Sequence, residues 1–255
     1  PWRHSREEDI RRIVGDNDTD LKLCAMADAE KSDYKEDILP SDQSVLDMIR
    51  IATYIHQIPL ALEMIQDAHD KGYETTLNLM AASTVNDSEM DEALALLMKS
   101  QVGSVYVVDS FGSMYGEQVN FLMDKFLGFT EGTDKEIGIH CHNNQQLAFA
   151  NTVQAIVKGA NMLDASIAGL GRGAGNCQIE LLIGFLHNPK YRLRPILQCI
   201  QEHIEPMRSK LLWGYDYPYM LTGMRNEHPR SGMAFNISKD KGDIVKFYDD
   251  ITSEE

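Results

Sequence analysis

Glu136-Ile137-Gly138-Ile139-His140-Cys141-His142-Asn143-Asn144 is an apolar run that turns polar at its C-terminal end and passes directly into helical spacing over 145–159. The same grammar recurs along the chain. Apolar runs rich in Ile, Val and Leu fall at 21–26, 47–52, 74–79, 104–109, 136–141 and 162–167, and amphipathic stretches at 59–71, 87–100 and 114–126 separate them. Several of these stretches close near Gly72, Gly103 and Gly159, as helices do. Nearly apolar strands alternating with helices predict a parallel sheet covered on both faces, either doubly wound or closed into a barrel. Polar residues gather at the strand ends: Asp28, Asn78, Asp109, His140, His142 and Asp164. That favours an α/β fold of the (β/α)8 TIM-barrel type, which brings all such ends to one mouth.

A barrel of this kind needs eight strands, and the count back from the glycine-rich segment after 162–167 leaves six. The first two strands are therefore expected to be missing from the chain as given, with 7–14 reading as the helix before the third. Beyond Asn188 the βα rhythm stops. Residues 191–210 read as one amphipathic helix, followed by an aromatic segment from Trp213 to Tyr219 and a polar tail. The expected organisation is a barrel domain at 1–190, carrying strands three to eight, and a helical C-terminal extension at 191–255.

Composition sets outer limits. Apolar residues make up 43 % of 255, enough to bury a sizeable core, which argues against disorder of the whole chain. A formal charge of −15 argues against a general nucleic-acid binder and means that a small anion must be drawn in by local cations or metal. No apolar run reaches the roughly 18 residues that span a bilayer, and 1–12 is charged where a secretory signal is hydrophobic. Cysteines at 24, 141, 177 and 199 have no C-x-x-C spacing, so they read as reduced thiols of a cytoplasmic protein rather than as disulfides or a zinc site.

His140 and His142, two apart on a strand, place both imidazoles on one face, where they can converge on a divalent cation. The other reading, of equal weight, is one hydrogen-bonded core histidine and one neighbour of a helix cap. The loop Gly169-Leu170-Gly171-Arg172-Gly173-Ala174-Gly175-Asn176 has glycines at alternating positions. It can present backbone N–H groups to a carboxylate or phosphate through Gly171, Gly173 and Gly175, and Asn176 adds an oxygen able to reach a metal. It matches neither a dinucleotide fingerprint nor a P-loop. Asp109 at a strand end reads either as an acid that shuttles protons or as a helix cap. Arg50, a guanidinium inside an apolar strand, reads equally as an anion-binding group and as a structural ion pair. Tyr215, Tyr217 and Tyr219 read first as packing residues, and Cys141 has no local context that would activate it as a nucleophile.

The His140-Cys141-His142-Asn143-Asn144 strand end, Asp164 to Gly171, Gly173-Ala174-Gly175-Asn176 and Asp109-Ser110-Phe111-Gly112 together resemble the metal-dependent pyruvate aldolases of the 4-hydroxy-2-oxovalerate aldolase type. These belong to the metallolyase superfamily that also holds 3-hydroxy-3-methylglutaryl-CoA lyase and isopropylmalate synthase. The resemblance implies a lyase that cleaves or forms a C–C bond next to a 2-oxo acid, giving pyruvate and an aldehyde through a metal-stabilised enolate. It implies Mn2+ or Mg2+, with Zn2+ as a further option, on His140 and His142, with Asn176 as a weaker ligand and Tyr219 as the tyrosine of the C-terminal extension. Such lyases often pair as homodimers, and an aldehyde dehydrogenase partner is not expected for this short, different tail. The first-strand motif that supplies a ligand aspartate, an arginine and a base in that group has no counterpart here, and Arg3 and His4 are not assigned to those roles. A Claisen-type acyl-CoA enzyme of the same superfamily and a non-catalytic barrel used as an interaction module are the alternatives.

Overall fold

The computed structural model describes residues 6–15 and 17–253. Residues 3 and 4 lie outside the described residues. Six parallel strands are present: β1 (Cys24–Asp28), β2 (Met48–Thr53), β3 (Glu74–Leu79), β4 (Ser104–Asp109), β5 (Glu136–Cys141) and β6 (Met162–Leu163). Their order in the sheet follows the chain, β1-β2-β3-β4-β5-β6. Helices α1 (Glu7–Val14), α2 (Ile58–Asp70), α3 (Asp87–Leu97), α4 (Gly116–Thr130), α5 (Ala148–Lys158) and α6 (Ile179–Leu186) alternate with the strands. This is the βα succession of a TIM barrel, with six of its strands in the described residues.

The chain forms two compact units, one of residues 1–80, 85–106 and 126–137 and the other of 81–84, 107–125 and 138–255. Residues on both sides of 190 belong to the second. In the first unit β1 pairs in register with β2 (Cys24 with Met48) and β2 with β3 (Met48 with Glu74). Helix α2 begins with Pro59 in its first turn, where no intrahelical donor is lost, and buries Ala61, Met64, Ile65 and Ala68 at helical spacing. Asn86 caps α3 by accepting from the Glu89 amide at 2.9 Å. In the second unit β5 pairs with β6 through Gly138–Met162 and Ile139–Leu163, and α5 ends on Gly159 in the left-handed region, φ 119°.

One sequence expectation needs correcting. The run at 162–167 yields a strand of only two residues, because the chain leaves the sheet at Asp164 and Ser166 bridges instead to Gln178. The expected helical C-terminal extension is present. After α7 (193–207), which contains a π turn at Ile200–Ile204, come α8 (Tyr217–Met224), α9 (Arg230–Asn236) and α10 (Ile244–Thr252). Phe235 and Phe247 supply its core, with ring centroids 4.7 Å apart. Among the described residues no helix is long and apolar enough to cross a membrane.

Candidate metal centre and active site

The second unit carries the site. Along β5, Ile137, Ile139 and Cys141 are all buried. That period puts His140 on the opposite face from them, and His142 follows just past the strand. The two imidazoles have ring centroids 5.2 Å apart. Each is held by its Nδ1. His140 Nδ1 lies 2.9 Å from Asp164 Oδ2, and Asp164 is fixed by its own amide on Ile139 O. His142 Nδ1 lies 3.3 Å from Gly175 O. A carboxylate and a carbonyl can only accept, so each ring carries a proton on Nδ1 and turns Nε2 the other way, where His142 Nε2 meets Arg172 Nη2 at 3.3 Å. Burial, with His140 and Arg172 alongside, pushes His142 well below the ordinary histidine range and keeps it neutral.

Asn176 completes the group. His142 and Asn176 face each other in an antiparallel bridge. The amide Nδ2 donates to Ser166 Oγ at 3.4 Å and Leu170 O at 3.3 Å, whereas Oδ1 is buried with no hydrogen-bond partner. A buried carbonyl oxygen without a partner, on the residue that bridges to His142, is a donor type that a cation accepts. Among the described residues no cluster of three or more His, Cys, Asp and Glu could hold a metal. The donors on this chain are thus two imidazoles and one amide oxygen.

The glycine loop is shaped by close approaches. A Cβ on Gly171 would lie 2.6 Å from Asn176 Nδ2. Gly175, at φ +88°, would place one 2.1 Å from Gly169 O. Gly173 packs on Asn144 Oδ1. Part of the expected anion-binding edge is occupied, since the Gly175 amide donates to Arg172 O and the Asn176 amide to Gly169 O.

Asp109 closes β4. It is fully buried, its oxygens accept from the Ser113 amide at 2.9 Å and the Met114 amide at 3.2 Å, and its carbonyl accepts the His142 amide. Burial pushes its carboxyl up to about 6 against those hydrogen bonds. The carboxylate holds the 110–114 turn, which is the cap reading. Tyr219 is buried on α8 in this same unit. Arg50 belongs to the first unit, where Nε and Nη2 donate to Asn78 Oδ1 and the guanidinium stacks 4.5 Å from the centroid of Tyr106. Asp28 pairs with Lys31 at 2.6 Å.

Two residues of the site escaped the sequence. Arg172 donates through Nη2 to Ser110 O at 2.6 Å and to His142 Nε2 at 3.3 Å, while its Nη1 lies 2.6 Å from His228 Nε2. Arg172 is the one charged residue in the glycine loop, a signal that was there to read. His228, between α8 and α9, gave none.

The HMGL-like family model matches residues 48–203, more than half of the chain. The chain belongs to the HMGL-like family. Among curated HMGL-like relatives, the 4-hydroxy-2-oxovalerate aldolase of Bacillus cereus is 30 % identical over 210 residues, covering 78 % of this chain and 60 % of that protein. The oxaloacetate decarboxylase of Mycobacterium tuberculosis is 34 % identical over 141 residues, covering 55 % of this chain and 41 % of that protein. The chain thus spans about three fifths of the length of the first of these. Among solved structures, the N-terminal domain of a Bacteroides vulgatus protein assigned as an aldolase superposes with a TM-score of 0.71 at 26 % identity, covering 94 % of this chain and 78 % of that one. The HMG-CoA lyase of Bacillus subtilis, 16 % identical with a TM-score of 0.64 over 76 % of this chain and 72 % of that one, shares the fold.

Proposed function

We propose that this chain carries the metal site of a cytoplasmic carbon–carbon lyase that splits a 4-hydroxy-2-oxo acid into pyruvate and an aldehyde, or joins them. The observation that carries the reading is a pair of imidazoles, ring centroids 5.2 Å apart and each tethered at Nδ1, beside the bridge from His142 to Asn176, whose Oδ1 is buried without a partner. Family membership and aldolase relatives support it.

His140 and His142 through Nε2, and Asn176 through Oδ1, would hold Mn2+ or Mg2+, with Zn2+ also compatible with this donor set. When bound, such a cation supplies Lewis-acid polarisation of the 2-oxo group. In the cleavage the bond between C3 and C4 breaks, the C4 hydroxyl loses its proton to become the aldehyde, and C3 keeps the electron pair and takes up a proton. Tyr219 Oη is the group we assign to these proton transfers. Asp164 and Gly175 O keep the two rings turned, and Asp109 keeps the 110–114 turn in place. The relative named oxaloacetate decarboxylase favours a second reading, in which the group leaving C3 is carbon dioxide.

The test is elemental analysis of the purified protein together with pyruvate release from a panel of 4-hydroxy-2-oxo acids and from oxaloacetate. About one metal per chain and chelator-sensitive pyruvate release are expected, both lost in His142→Ala. Metal without pyruvate release, joined to saturable acetyl-CoA binding, would move the assignment to the acyl-CoA branch. A metal-free, inert protein would make the barrel an interaction module.

A further inference from the structure

The unpartnered Oδ1 of Asn176 is aimed by one short turn. The Asn176 amide donates to Gly169 O at 3.0 Å, and its side-chain Nδ2 to Leu170 O at 3.3 Å and Ser166 Oγ at 3.4 Å. Within that turn Ala168 and Gly169 both lie in the left-handed region, at φ 52° and φ 63°. Glycine adopts this region freely, whereas an alanine there is strained by its Cβ and stays only when its surroundings hold it. The Ala168 amide donates to Glu180 Oε2 on α6 at 3.1 Å, and its carbonyl accepts from the Trp213 indole Nε1 at 3.0 Å. Two side chains from outside the turn therefore grip the strained residue at both of its polar atoms.

Trp213 comes from the linker between α7 and α8, whose neighbouring Leu211 and Leu212 are exposed. Its own ring is held. The Arg208 guanidinium lies 4.4 Å from the ring centroid and is paired with Glu205 at 2.7 Å. The indole edge reaches the glycine loop: a Cβ on Gly175 would lie 3.6 Å from Trp213 Cδ1. Gly175 O is the acceptor that orients His142. One indole thus meets the loop at Ala168, beside the partners of Asn176, and at Gly175, the partner of His142. We infer that Trp213 is a positioning residue for Asn176 and His142, and that the C-terminal extension thereby takes part in the site. Without the indole N–H the Ala168 carbonyl loses that hydrogen bond, the strain at φ 52° is released, and the Gly169 and Leu170 carbonyls that hold Asn176 turn away with it. That the oxygen and ring so placed serve a cation rests on the function proposed above.

Two measurements test it. The first needs no variant. Coupling between two groups is reciprocal, so saturating the 15N-labelled parent with Mg2+ is expected to shift both the Asn176 Nδ2 and the Trp213 indole resonances. The side-chain resonance of Asn86, the cap of α3, is expected to stay where it was. The second measurement compares Trp213→Phe, which keeps a ring against Gly175 and removes the N–H, with Ala168→Gly and with the double variant. In the metal-free protein Trp213→Phe is expected to move the Asn176 Nδ2 resonance. By calorimetry it is expected to weaken Mn2+ binding roughly 3- to 10-fold, the range for one hydrogen bond. Glycine at 168 needs no grip to stay left-handed, so in the Ala168→Gly background the same change is expected to weaken binding by less than about two-fold. A general loss of stability would not be rescued in that way. An indole blind to Mg2+ in a protein that binds it, an Mn2+ affinity that ignores Trp213→Phe, or an effect as large with glycine at 168 overturns the assignment. An Asn176 resonance that responds to Trp213→Phe in a protein that binds no metal keeps Trp213 as its positioning residue, and overturns the metal centre and the lyase reading with it.

Discussion

The proton on each candidate ligand histidine is placed by a group that is not itself a candidate ligand. Asp164 does this for His140 at 2.9 Å. Removing such an outer partner costs metal affinity about 10- to 100-fold. Asp164→Ala is therefore expected to weaken Mn2+ binding by that factor in calorimetry, with Asp164→Asn in between; an unchanged affinity would remove His140 from the ligand set. Asp109 makes a different prediction. Its carboxyl is raised from 3.8 to about 6 by burial, so the folded chain holds a proton there that the unfolded chain has lost. Stability must fall as pH rises through that window, by on the order of 3 kcal/mol in total. His228, lowered from 6.5 to about 4, acts in the opposite sense over nearly the same range. The quantity to measure, in chelator, is thus the difference in urea unfolding free energy between parent and Asp109→Asn. It is expected to move in favour of the variant between pH 4 and pH 6 and then level off; a flat difference would mean the carboxyl is not perturbed.

Among the elements, the glycine loop divides into positions that shape the backbone and one that shapes a side chain. Gly175 has φ +88° and a carbonyl where its Cβ would go, so Gly175→Ala strains the loop itself. A loss of about 1–3 kcal/mol is expected, read as a lower Tm. Gly171 has no such φ, and its missing Cβ makes room only for the Asn176 amide. Gly171→Ala is expected to lower metal affinity while leaving Tm within a degree or two of the parent; equal Tm losses in both variants would show that Asn176 has no separate role. The strands were legible because a buried parallel strand is apolar on both faces, and β3, β4 and β5 match their expected limits. β6 was not, since an apolar run does not reveal that Asp164 turns out of the sheet to hold His140. The helical extension was legible but its core was not, because Phe235 and Phe247 meet only when their helices pack. His140, His142 and Asn176 were readable from spacing and family pattern. Arg172 and His228 were not, because their relation exists only once residues 56 apart meet.

For the molecule as a whole, charge sets a condition on how an anionic substrate arrives. The chain carries −15 formally, so a substrate anion reaches its contacts at hydrogen-bond distance against a repulsive field. Raising ionic strength from 10 to 100 mM shortens the Debye length from about 30 to about 10 Å. That screens the distant carboxylates and leaves a contact at hydrogen-bond distance nearly unscreened. Repulsion is therefore the part that salt removes, and pyruvate binding should tighten, by about two-fold, across that interval. Calorimetry at fixed metal concentration, with the uncharged pyruvate amide as a control expected to show no trend, separates this from any general effect of salt. If pyruvate binding instead weakens with salt, an attraction longer in range than a hydrogen-bond contact is at work, and the acidic surplus must be turned away from the path the substrate takes.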